Sequence, residues 1–395
     1  MDNIFKLDSE YVASTYARFP VRIVGGKGSI LYGDNGRQYI DMGSGIAVNT
    51  FGIADDEWIS AVTAQLGKVQ HTSNLYYTDP CVLLARTLCE RTGMKKVFFS
   101  NSGAEANECA IKVARKYAAE KKGAEYSTII TLINSFHGRT VTTLAATGQE
   151  VFHKDFLPLT DGFVYAEAND LDDVKDKVSK NKVAAIMLEP VQGEGGVLPL
   201  SDEFISGIAE IAKDEDILII ADEVQTGNGR CGTLYASLAY DTLPDIISTA
   251  KGLGGGLPIG ATMLGEKVKD VLTPGTHGST FGGNPVCCAG ALSVLSRIDD
   301  KLLSEVMRKS ELIRTSLAGA KGIKSVSGRG LMLGIEVEGN AKAIVNRCIE
   351  NGVIPLTAKT KVRLLPALNI PDELLVKAID VIKEACAAEA ECGSH

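Results

Sequence analysis

Short runs that are apolar on both faces recur through the middle of the chain, each parted from the next by a stretch of helical pattern. Lys96-Val97-Phe98-Phe99, Thr128-Ile129-Ile130-Thr131-Leu132, Val183 to Leu188, Ile217-Leu218-Ile219-Ile220-Ala221 and Asp245-Ile246-Ile247-Ser248-Thr249-Ala250 are such runs. A strand with one wet face alternates apolar and polar residues, whereas one covered on both faces has no need to. Strands of this kind, alternating with helices such as Ala104 to about Glu120, predict an α/β fold built on a mainly parallel sheet. Ligands of such sheets sit in the crevice beyond the carboxyl ends of the strands. Chemistry is therefore expected in the residues just after each run.

The two ends of the chain read differently. From about Leu302 a helix leads into a strand–turn–strand pattern over Val326 to Val337. Another helix, a short strand at Val362 to Leu365 and a last helix from about Asp372 follow. Ser29 to Asp41 reads as a hairpin turning at Asp34-Asn35-Gly36. With 395 residues the chain suits two domains. The expected division is a large domain over 50–285 and a smaller α+β domain formed from 1–49 and 286–395. No internal repeat or low-complexity segment interrupts this plan.

Charge and composition exclude several classes of function. A net charge of −8 argues against nucleic acid or an anionic membrane as the main partner. No apolar run approaches the roughly 20 residues needed to span a bilayer, and the first residues lack the basic-then-apolar pattern of a secretory signal. Nine scattered cysteines without a CxxC pair, and five histidines without a close pair, offer little for a metal site. Reduced cysteines in a cytoplasmic protein are the expectation. Gly393-Ser394-His395 is set aside as a possible appended tail.

An acidic protein that binds an anion must do so locally, and three strand ends supply candidates. Ser100-Asn101-Ser102-Gly103-Ala104 opens a helix, where free N–H groups and the dipole suit a phosphate; the same Ser-Gly start also serves as an ordinary cap. Asp222 ends a wholly apolar strand, where a carboxylate is costly without a cationic partner; a protonated pyridine nitrogen would be one, and a turn cap is the plainer alternative. Lys251 stands between an apolar strand and Gly252-Leu253-Gly254-Gly255-Gly256. There it can be desolvated to its neutral, nucleophilic form; most lysines are solvated surface groups. Together they make the set that pyridoxal 5′-phosphate needs: an imine-forming lysine, a carboxylate for the ring nitrogen and a phosphate cradle.

Six blocks carry a resemblance. They are Asn101 to Asn107, Phe136-His137-Gly138-Arg139-Thr140, Glu189 to Gly196, Asp222 to Arg230, Lys251 to Gly256, and Ser279-Thr280-Phe281-Gly282-Gly283-Asn284-Pro285. In this order they resemble the class-III aminotransferases over nearly the whole chain. The resemblance implies the fold-type-I, aspartate-aminotransferase-like architecture and a homodimer with active sites at the subunit interface. It implies Lys251 as the lysine that bonds the cofactor and moves the proton, Asp222 on the pyridine nitrogen and Gln225 near the ring's phenolic oxygen. Phe136 and Val224 would flank the ring. Ser102, Gly103 and Ala104 would hold the phosphate, with Thr280 reaching it from the other subunit. Arg139 and Ser279 are implied as substrate-binding, and Glu194 with Arg363 as a switch pair in which Glu194 masks Arg363 until glutamate binds.

Within the class, Gly45-Ile46-Ala47-Val48 and Ser73-Asn74-Leu75-Tyr76-Tyr77 resemble the members acting on N2-acetyl-L-ornithine, with 2-oxoglutarate as acceptor, in arginine biosynthesis. The resemblance implies the acetylated donor at Gly45, where ornithine-specific members of the family are expected to carry a tyrosine. Ornithine, succinylornithine and 4-aminobutyrate are the alternative donors. An aminomutase, or a cofactor-binding regulator without chemistry, is a more distant alternative; the regulator would need a DNA-binding module, and the sequence shows neither a basic helix nor an added domain.

Overall fold

The computed structural model describes residues 3–392; Gly393-Ser394-His395 lie outside them. Its centre is a seven-stranded sheet in the spatial order Lys96–Ser100, Gly260–Leu264, Ile246–Thr249, Leu218–Asp222, Val183–Leu188, Thr128–Leu132 and Phe163–Ala166. The last five strands of that order are mutually parallel, and Gly260–Leu264 runs antiparallel to both its neighbours. Val183–Leu188, Ile246–Thr249 and Gly260–Leu264 are buried at every position, as strands covered on both faces must be. The fold is α/β with a mainly parallel sheet, as the apolar runs predict. Two strands of this sheet are not anticipated from the sequence. Phe163–Ala166 is a four-residue edge strand, and Gly260–Leu264 opens on glycine and alanine next to a glycine-rich stretch.

The helix Gly103–Lys122 lies against this sheet through small residues, Ala106, Ala110, Ala114 and Ala118, which allow close approach. Thr262 Oγ1 donates to the Ala106 carbonyl at 2.8 Å and ties it to the antiparallel strand. The helix Pro285–Leu295 packs on Asp56–Leu66 and Asp79–Thr92 in one apolar cluster with Leu84, Leu88, Met263 and Val294.

A separate cluster gathers Tyr39, Ile40 and Met42 with Val306, Ile335, Ile344, Leu364, Ile379 and Ile382. Here Ile323–Arg329, Met332–Val337 and Lys361–Leu364 form an antiparallel sheet with the helices Asp300–Leu317, Ala341–Glu350 and Asp372–Cys392 around it. Strands Ile30–Gly33 and Gln38–Asp41 form the early hairpin, and Ile40 and Asp41 pair in parallel with Val353 and Ile354. The two ends of the chain thus share a core. Buried Arg230 joins this part to the large sheet, donating to the carbonyls of Leu331 at 3.1 Å and Pro366 at 2.5 Å. Among the described residues no helix is long and apolar enough to cross a membrane.

Candidate active site

A cleft of about 640 Å³ opens at the carboxyl ends of the parallel strands. Ser102, Gly103, Ala104, Phe136, Arg139, Asp222, Val224, Gln225 and Lys251 all line it. Tyr16, Val48, Asn107, His137 and Glu189 line it too, and none of these five is singled out by the sequence reading.

Asp222 is the last residue of its strand and only 3% exposed. Its Oδ1 accepts the Val224 N–H at 3.0 Å. Its Oδ2 takes the Asn107 amide at 2.7 Å and meets His137 Nδ1 at 2.8 Å. Asn107 in turn donates to the His137 carbonyl at 2.7 Å and accepts from Ser248 Oγ at 2.5 Å. Four segments therefore orient one carboxylate. Asn107 and His137 do stand within the motif blocks, but only folding reveals that they meet Asp222.

Lys251 follows the strand Ile246–Thr249 with φ at +45°. A non-glycine residue rarely adopts that conformation, and it persists only where the surroundings impose it. They do so here: Asn228 Nδ2 donates to Thr249 Oγ1 at 3.1 Å and to the Ala250 carbonyl at 3.3 Å, and Thr50 Oγ1 donates to the Gly252 carbonyl at 2.8 Å. Burial pushes the Lys251 amine below its usual range; Glu194 opposes that shift and Arg363 adds to it. The net shift is toward the neutral, nucleophilic form.

At the helix start, Ser102 is an N-cap whose Oγ accepts the Glu105 N–H at 3.2 Å, while Glu105 reaches back to the Asn101 N–H at 2.8 Å. The ordinary cap is present, and it leaves the first-turn N–H groups of Gly103 and Ala104 at the cleft. A Cβ on Gly103 would lie 2.6 Å from Val224 Cγ1, so only glycine lets this turn sit against Val224. Gly138 is equally constrained: a Cβ there would lie 2.9 Å from the Ala104 methyl.

Arg139 lines the cleft, whereas Arg363 and Glu194 stand outside its lining and meet it through Gln225. Arg139 is exposed, its guanidinium 4.0 Å from the Phe152 ring centre and 5.4 Å from that of Phe136. Arg363, on the strand Lys361–Leu364, is 3% exposed and pairs with Glu194 Oε1 at 2.6 Å. It also donates to Gln225 Oε1 at 3.3 Å. Burial drives the Glu194 carboxyl up, but Arg363, helped by Lys251 and Gln225, brings it below the usual carboxylate range.

Ser279 and Thr280 lie elsewhere. The Ser279 hydroxyl accepts from Asn101 Nδ2 at 3.2 Å and from the Gly282 N–H at 3.0 Å. Thr280 is exposed on a separate 140 Å³ hollow with Asn74, Cys81 and Gly283, away from its own chain's cleft. Gly45 belongs to a left-handed run, with φ between 47° and 64° from Ser44 to Ala47. It faces a neighbouring apolar hollow with Arg18 and Leu356 rather than the main cleft.

The class-III aminotransferase family model matches residues 11–386. The chain belongs to the class-III aminotransferases. It is therefore an enzyme that moves an amino group from a donor to a keto acid. Acetylornithine aminotransferase of Haemophilus ducreyi is 50% identical, over 97% of this chain and 98% of that one. Acetylornithine aminotransferase of Aquifex aeolicus is 46% identical over 95% and 99%. Among solved structures, the ornithine aminotransferase of Toxoplasma gondii, described with partial occupancy of PLP at its active site, superposes with a TM-score of 0.94 at 33% identity, covering 99% of this chain and 96% of that one. The N-acetylornithine aminotransferase of Stenotrophomonas maltophilia gives 0.85 at 35% identity, covering 97% and 98%. Fold and family agree with the six motif blocks.

Proposed function

We propose that this class-III aminotransferase transfers the terminal amine of N2-acetyl-L-ornithine to 2-oxoglutarate, giving N-acetyl-L-glutamate 5-semialdehyde and L-glutamate. The observation that carries the donor is the 50% identity, end to end, to an acetylornithine aminotransferase. Ornithine is the second reading, favoured by the TM-score of 0.94 to an ornithine enzyme. Backbone similarity is shared across the class, so the higher identity decides. Arginine biosynthesis in the cytoplasm is the setting this implies.

Pyridoxal 5′-phosphate fits the residues present. The Gly103 turn is open only to an unsubstituted backbone, the Asp222 carboxylate is buried and oriented at the cleft, and Lys251 is desolvated. When bound, the cofactor supplies an electron-withdrawing ring that stabilises negative charge on the substrate carbon. Asp222 keeps the ring nitrogen protonated, and Asn107 and His137 keep Asp222 aimed. Lys251 holds the cofactor at rest and, once released, carries the proton to and from the substrate carbon. Phe136 and Val224 would confine the ring, with Gln225 placed for its phenolic oxygen. Ser102 and the N–H groups of Gly103 and Ala104 would hold the phosphate, joined by Thr280 of the partner subunit, on a loop beside Ser279.

Arg139 takes the donor's carboxylate with bidentate geometry. Arg363 is masked by Glu194 while the donor reacts and is released for the α-carboxylate of glutamate. A homodimer accounts for Thr280 facing away from its own cleft, and for the exposed Leu75, Tyr76, Tyr77 and Phe281. We place the domain boundaries near 50 and beyond the helix Pro285–Leu295, later than 286, because that helix packs within the large domain's apolar cluster.

Steady-state turnover with 2-oxoglutarate, scored by glutamate formed, tests the donor. A kcat/KM for N2-acetyl-L-ornithine well above that for ornithine, succinylornithine or 4-aminobutyrate is expected. A higher value for any of those three would replace the donor.

A further inference from the structure

Glu189 follows the buried strand Val183–Leu188 and is itself 5% exposed at the floor of the cleft. Among the described residues no cation forms an ion pair with it. Such a carboxylate is costly to bury, and burial drives its pKa up to about 7, with His137 opposing and Asp222 adding. What its two oxygens do is hold two loops. Oε1 accepts the Phe136 N–H at 2.8 Å, in the segment after the strand Thr128–Leu132. Oε2 accepts the Gly193 N–H at 3.1 Å, at the tip of the hairpin Val191–Gln192/Leu198–Pro199.

Those loops carry different parts of the site. Phe136 lines the cleft, and Gly193 precedes Glu194, which masks Arg363. The hairpin tip is wedged in place: a Cβ on Gly193 would lie 2.5 Å from Gln225 Nε2, and one on Gly195 would run into the Asn134 carbonyl. Gln225 meanwhile touches both Glu194, at 3.5 Å, and Arg363, at 3.3 Å. A displacement of the Gly193 N–H therefore moves the masking carboxylate relative to its arginine.

We propose that Glu189 is a positioning residue whose two backbone hydrogen bonds lock the Glu194 turn to the Phe136 loop and hold Arg363 in its masked state. The proposal rests on the two-substrate reading above and deepens it: Glu189 sets how strongly the site favours the ω-amine donor over glutamate. Glu189→Gln keeps the shape but turns one acceptor into a donor, which then faces an N–H. Glu189→Asp keeps the carboxyl group but is too short to reach both donors at once.

The test uses the cofactor-loaded enzyme in single turnovers, with N2-acetyl-L-ornithine and with L-glutamate separately, followed by visible absorbance. The wild type is measured first; failure of either half-reaction there counts against the assigned function and not against Glu189. Expected for Glu189→Gln is a fall of roughly tenfold in the donor-to-glutamate ratio of specificity constants, the scale of one hydrogen bond to a charged group. The change should appear mainly as tighter glutamate binding. Glu189→Asp shifts the ratio the same way by less, and decides the matter alone if the glutamine variant does not hold cofactor. An unchanged ratio, or equal losses with both substrates, would overturn the proposal.

Discussion

Lys251 combines a left-handed backbone, a strand end and a desolvated amine. Each has a structural cost, and the proposed reaction of the amine accounts for all three. Lys251→Ala should retain the fold and lose multiple turnover altogether; persistent turnover would sink the assignment. Among the described residues Arg139 is held by ring stacking alone, so Arg139→Lys keeps the charge and loses the planar fork. One lost charge-assisted hydrogen bond is worth about 1.5–3 kcal/mol, so KM for the donor should rise roughly tenfold or more, with the melting temperature little changed. The Glu194–Arg363 pair predicts a pH effect. Arg363 draws the Glu194 carboxyl below its usual 4.5, so the pair's stabilisation is full above that value and lost as pH falls through the lowered one. Thermal melts of Glu194→Gln across the acid range should lack that limb of the wild-type curve.

At the scale of elements, the start of the helix Gly103–Lys122 is the tightest joint. Gly103→Ala would drive a methyl into Val224, and overpacking of this kind costs about 1–3 kcal/mol. The variant should melt lower and release its cofactor faster on dialysis; a wild-type release rate would contradict the cradle. Strands buried on both faces were legible because a continuous apolar run has few other uses, and the strand ends pointed to Lys251 and Asp222 directly. What stayed hidden is what register and packing decide. Asn107 and His137 meet Asp222 only because segments distant in sequence converge on one carboxylate. The antiparallel strand Gly260–Leu264 carries small residues with weak β preference. Tyr16, more than two hundred residues from Lys251 in sequence, reaches the cleft through the path of the N-terminal segment.

For the whole molecule, the common core of Tyr39, Ile40 and Met42 with residues beyond Val306 explains how the first and last parts of the chain serve one unit. Arg363 belongs to that unit and Glu194 to the large sheet's side, so this ion pair spans the two. The exposed apolar residues beside Thr280 belong to a still larger scale. Leu75 is 87% exposed and Tyr77 97%, and the enzyme should migrate as a dimer in size-exclusion chromatography with light scattering. Thr280→Ala should weaken cofactor retention without altering the Gly103 turn; unchanged retention would remove Thr280 of the partner subunit from the phosphate site.

The amino transfer itself is tested by its first half alone. Candidate donors are added one at a time to the cofactor-loaded enzyme without any keto acid, and the loss of the yellow absorbance is timed. N2-acetyl-L-ornithine should discharge the colour far faster than ornithine or 4-aminobutyrate. If another ω-amine is faster, the donor changes while Lys251 and Asp222 keep their roles; if no amine discharges the colour, amino transfer at this cleft is wrong.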